Sequence, residues 1–149
     1  MSKPPQTQTF THPLLGPLTG LTNPSTPNVT HFRSIPFALV PSRFRQSILL
    51  NQIPPNHTRG FTKYGTVCPS PVQTDQIDAL GDFLPEEEAR KYDEETCLDL
   101  TISAPGDALG EGRKLPVMVY VHDGGFAVGS GYVSAFYGKP LLNSFSGED

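Results

Sequence analysis

The chain has 149 residues, 11 Lys+Arg against 15 Asp+Glu, and a formal charge of −4. That length fits one ordinary domain and not two, and so small a net charge excludes a nucleic-acid binder or a charge-driven disordered chain. Sixteen prolines, about twice ordinary usage, exclude long helices wherever they concentrate.

They concentrate early, with twelve in residues 1–71, and the charge is divided the same way. Residues 1–71 hold six Lys+Arg and no acid, residues 72–149 five Lys+Arg and all fifteen acids, so the halves are +6 and −10. Two faces of one domain attracting each other account for this; a basic partner site is the sharper alternative. No run reaches the roughly 18 apolar residues of a membrane span, and the first ten residues lack the apolar core of a signal peptide. A cytoplasmic protein is therefore expected. Two sequons, Asn28-Val29-Thr30 and Asn56-His57-Thr58, and the cysteine pair keep secretion as the alternative.

Residues 1–27 are Pro-rich, polar and without period, and read as an extended arm preceding an incomplete domain over 28–149. Val29 to Ala38 reads as a short strand interrupted at Pro36, and Pro41 to Arg45 as a turn leading to an apolar patch at Ile48-Leu49-Leu50. Residues 51–72 read as loop. The acidic stretch Asp75 to Glu95 reads as a solvated face, with a turn of helix at 85–91 started by Pro85. Leu98, Leu100 and Ile102 alternate with Asp99, Thr101 and Ser103, the period-two mark of a strand with one wet face, closed by Pro105-Gly106. Leu115 to Val121 is a continuous apolar run rich in β-branched residues, the pattern of a parallel strand buried on both faces.

That run stops at His122-Asp123-Gly124-Gly125-Phe126. Two adjacent glycines at the carboxyl end of a strand let successive backbone N–H groups converge on one developing negative charge, as an oxyanion hole requires. On the glycines alone, an ordinary strand-to-loop turn is the better reading. No Cys or His spacing suits a metal, and nothing implies a cofactor.

Residues 115–131 closely resemble the oxyanion-loop segment of the type-B carboxylesterases, the carboxylesterase and cholinesterase branch of the α/β-hydrolases. Three further segments resemble that family in the expected order. Phe32-Arg33-Ser34-Ile35-Pro36-Phe37-Ala38, followed by Pro41, Arg43 and Phe44, is similar to its early Gly-Ile-Pro-Tyr-Ala motif, with Ser34 where Gly is usual. Tyr64-Gly65-Thr66-Val67-Cys68-Pro69 resembles the segment of its first disulfide cysteine, and Glu95 to Ile102 the segment of the partner.

The resemblance implies an α/β-hydrolase fold, here its N-terminal part with the short first strands and the first central strands of a mixed sheet. It implies hydrolysis of a small-molecule carboxylic ester through a serine nucleophile, a histidine base and a carboxylate. Gly124 and Gly125 match two of the oxyanion donors; the third follows the nucleophile, which sits in Gly-x-Ser-x-Gly. No such motif occurs in the 149 residues, so this chain is expected to be inactive by itself, and a longer reading frame is one explanation. A shortened, non-catalytic binding module is another. His122 precedes the oxyanion glycines and is read as structural. Cys68 and Cys97 would form a bridge closing about thirty residues, adding about 3 kcal/mol; two free thiols are the cytosolic alternative. Asp123 replaces the usual Gly. A carboxylate about 6 Å from the oxyanion at an effective dielectric of about 20 would oppose it by roughly 3 kcal/mol, about a hundredfold in rate.

Overall fold

The computed structural model of the chain begins as an antiparallel meander. It describes residues 5–24, 26–55, 57, 60–70, 91–110, 114–122, 125 and 127. Strands β1 (Gln6–His12), β2 (Gly16–Asn23) and β3 (Thr26–Pro36) run antiparallel in sequence order, and β6 (Asp99–Pro105) adds beyond β3 to give the order β1-β2-β3-β6. A two-residue pair, β4 (Ala38–Leu39) with β5 (Ile48–Leu49), lies apart, and a 3₁₀ turn at Gly106–Ala108 follows β6.

The register decides which side chains share a face, because directly opposed residues point the same way. Phe10 faces Leu18, Phe32 faces Ile102 and Ile35 faces Leu100. The core forms on that side from Leu18, Phe32, Ile35, Ile53 and Phe61, with Phe10, Leu15 and Leu109 packed against it. Phe61 comes from the irregular segment between β5 and β6 and works as a wedge. Its N–H donates to the Thr19 carbonyl at 2.8 Å and its carbonyl accepts from the Arg33 N–H at 2.8 Å, so its backbone lies between β2 and β3. Its ring is 1% exposed.

Three expectations change. Residues 6–23, read as an extended arm, form the β1–β2 hairpin: His12 Nδ1 accepts the N–H groups of Leu14 and Leu15, both at 3.2 Å, and so fixes the turn. The alternating segment at 98–103 is a strand as expected, but its apolar residues are only half covered, Leu100 being 38% and Ile102 47% exposed. They point to the core side, yet β6 is an edge, so no strand shields them beyond it among the described residues. The run 115–121 is the largest change. No strand is assigned to it, and Val117, Val119 and Val121 are exposed. A strand buried on both faces needs parallel neighbours and covering helices, and among the described residues no strand pairs with this run. The acidic stretch and the helical turn at 85–91 lie outside the described residues apart from 91–95. Among the described residues no helix is long and apolar enough to cross a membrane.

Candidate active site

The four segments that carried the resemblance are treated unequally by the fold. Three come together. The 32–38 segment is the end of β3 and the start of β4, the 95–102 segment runs into β6, and β3 and β6 pair with a shift between Phe32 and Ile35 that leaves Arg33 and Ser34 as a bulge. Ser34 takes the left-handed conformation there, with φ 58°. This is the physical reason for glycine at such a place, since a β-carbon costs about 1–2 kcal/mol in that region. Ser34 is held by donating its Oγ–H to Asp99 Oδ2 at 2.8 Å across the bulge.

Gly65, from the third segment, fits against this pair. A β-carbon on it would collide with Asp99 Oδ2 and Ser34 Oγ, so the position accepts no side chain without displacing both. Arg33, the other bulge residue, places its guanidinium 4.1 Å from the Tyr64 ring centroid and donates to the Thr62 carbonyl at 3.4 Å. Arg43 Nε donates to Glu94 Oε2 at 2.8 Å, tying the turn after β4 to the segment before β6. That ion pair is exposed and therefore screened.

Residues 66–68 and 91–97 are fastened side by side: the Val67 N–H donates to the Lys91 carbonyl at 2.8 Å, the Asp93 N–H to the Val67 carbonyl at 3.1 Å, and Thr66 and Thr96 hydroxyls meet at 2.8 Å. Asp93 Oδ1 accepts the N–H groups of Glu95 and Thr96. Those bonds, the Glu95 one foremost, hold its carboxyl below the usual carboxylate range. This arrangement draws Cys68 and Cys97 near each other but not to disulfide distance, so of the two alternatives, bridge or free thiols, the structure has the free thiols. Each sulfur points to a local carbonyl instead, Cys68 to Pro69 at 3.8 Å and Cys97 to Glu94 at 3.7 Å. Burial, and after it the neighbouring Cys68, pushes the Cys97 thiol up to about 11.

The fourth segment is the one that resembles the oxyanion loop. Asp123 and Gly124 lie outside the described residues. Gly125 is described: its φ is +61°, and a β-carbon there would meet nothing within 4 Å. Backbone conformation, and not crowding, is what makes glycine suit this position. It is exposed, as is His122.

One pairing was invisible in the sequence. His31 lies in β3 directly opposite Ser103 of β6, and its Nδ1 is 2.8 Å from Ser103 Oγ. Burial, and then the charge of Arg33, lowers the His31 pKa, which favours the neutral ring. A serine beside a neutral imidazole is half of a nucleophile–base arrangement. Among the described residues His31 is set against Ser103 and Arg33 and no carboxylate orients it, so the contact is a cross-strand tie of the sheet. The two residues are 72 apart in sequence, and no local pattern announces such a partner. His12 serves the hairpin turn, and His57 stacks on Phe61 with ring centroids 5.7 Å apart. No group of His, Cys, Asp and Glu able to hold a metal occurs among the described residues.

Comparison with curated proteins and with solved structures gave no match. The model of the Carboxylesterase family matches residues 4–146, which extends the resemblance at both ends and takes in the β1–β2 hairpin. With nearly the whole sequence matched, the chain belongs to the carboxylesterase family, whose fold is the α/β-hydrolase.

Proposed function

We propose that these residues form the oxyanion-loop part of a serine hydrolase acting on small-molecule carboxylic esters, with the N–H groups of Gly124 and Gly125 as donors to the tetrahedral intermediate. The observation that carries this reading is the family match over residues 4–146, with the Gly124-Gly125 pair directly after the apolar run 115–121 and the two residues His122-Asp123. The positive φ of Gly125 supports it, because a glycine-only conformation turns the backbone sharply at the place where the donors must converge.

The 149 residues contain no Gly-x-Ser-x-Gly, so they supply oxyanion donors without a nucleophile of the family's kind. Alone they would add little to ester hydrolysis. Asp123 works against the donors if its carboxylate faces the oxyanion, and makes the complete enzyme a slow one. The test is hydrolysis of a short p-nitrophenyl ester by the protein isolated from its own cells. Turnover abolished by one equivalent of a fluorophosphonate supports a serine esterase, and no turnover above the buffer rate would overturn the reading.

A further inference from the structure

β1 is an outer strand: among the described residues it pairs with β2 on one side only. Natural sheets guard such edges with charges, prolines, bulges or very short strands. β1 has none of these. Its seven residues, Gln6-Thr7-Gln8-Thr9-Phe10-Thr11-His12, include no Lys, Arg, Asp, Glu or Pro, and they pair with β2 in unbroken register from Gln6 to His12. The opposite edge differs, since β6 begins with Asp99 and ends with Pro105.

We propose that β1 is a self-association edge, on which a second copy of this chain adds its own β1 antiparallel about a two-fold axis at Thr9, making one sheet continuous through both copies. Centring the axis on the middle residue pairs the whole strand. Thr9 then faces Thr9, and Thr7 faces Thr11 twice. Threonine pairs of this kind stabilise antiparallel strands, and the sheet already contains one, Thr9 Oγ1 to Thr19 Oγ1 at 3.0 Å. On the other face Gln8 meets Phe10 and Gln6 meets His12. Because His12 Nδ1 accepts two backbone N–H groups, the neutral ring carries its proton on Nε2, a donor suited to the amide oxygen of Gln6 in the second copy. No like charges meet anywhere along the pairing, and the interface is isologous, so it closes at two copies.

Sedimentation velocity of the full chain over about 5 to 500 μM tests the proposal, because one edge pairing buries less than the roughly 1,600 Å² of a standard interface. A reversible monomer–dimer equilibrium is expected. Two variants read the register. In T7K/T11K a lysine at position 7 of each copy opposes a lysine at position 11 of the other, and dimer affinity should fall about tenfold, about 1.4 kcal/mol over the two related pairs. In T7K/T11E the same positions become opposite charges, and affinity should equal or exceed that of the parent. A parent that stays monomeric throughout, or two variants that associate equally, would overturn the proposal; circular dichroism of each variant confirms that the sheet is retained.

Discussion

Ser34 Oγ lies 2.8 Å from Asp99 Oδ2, and this contact locks a bulge at which the backbone of a serine is held in a glycine-favouring conformation. Two segments 65 residues apart in sequence are registered by it, and Gly65 closes over both partners.

The contact and the strain make separable contributions. Ser34→Ala keeps the positive φ and loses a hydrogen bond to a charged acceptor, and should destabilise by about 1–3 kcal/mol. Ser34→Gly loses the same bond but relieves the left-handed cost, and should be more stable than Ser34→Ala by about 1 kcal/mol. Gly65→Ala must push Asp99 and Ser34 apart, at about 2 kcal/mol or more. Urea midpoints of the three variants check the ranking, and Ser34→Ala equal to Ser34→Gly would remove the strain from the explanation.

His31 makes stability depend on pH in a definite direction. Its folded pKa is lowered by burial first and then by Arg33, so between the folded value and the unfolded value of about 6.5 the unfolded chain binds more protons. Stability therefore falls as pH drops through about 6.5 and levels off below the folded pKa. Asp93, whose pKa is also lowered, acts in the other window: its contribution is present above the unfolded carboxylate range, near pH 4, and is lost below it. Urea midpoints at pH 7.5 and 5 should differ in the parent, and by less in His31→Asn.

The cysteines provide a chemical reading of the fold. With both thiols free, the denatured chain prepared without reductant should bind two equivalents of maleimide, where a bridged chain would bind none. In the folded chain Cys97, pushed up to about 11, carries little thiolate at pH 8. Its alkylation should be slow there and accelerate steeply as pH approaches that value, which peptide mapping after timed iodoacetamide exposure measures.

Phe61 carries the join between β2, β3 and the segment that crosses them. Phe61→Ala should cost about 3–5 kcal/mol, because its fully buried ring is the centre of the core. A smaller loss, read from the thermal or urea transition, would mean that the core closes over the gap.

The sequence made some of this legible and hid the rest for physical reasons. Alternation at Leu98 to Ser103 located β6, and the turn at Pro41 to Arg45 is present, with the Arg45 N–H donating to the Ser42 carbonyl at 3.1 Å. The β1–β2 hairpin was hidden because it packs only a few apolar side chains, Phe10 and Leu18 among them, while threonines and glutamines fill many of its other positions. Local periodicity has little to register in such a strand. The departure at Ser34 was visible as a residue, but its meaning required the φ angle and Asp99. The run 115–121 displayed the composition of a buried strand, and composition states what a segment needs without supplying its neighbours. The His31–Ser103 and Cys68–Cys97 relationships are non-local, and the first has no motif at all.

The central claim is that residues 124 and 125 stabilise the oxyanion for a serine that these 149 residues do not contain. The most direct measurement is fluorophosphonate labelling of the protein isolated from its own cells, followed by peptide mapping of the adduct. The account predicts a single labelled serine within Gly-x-Ser-x-Gly, outside residues 1–149. A label on Ser103 beside His31, or on any other serine of these residues, would contradict it, and so would a native protein that takes no label.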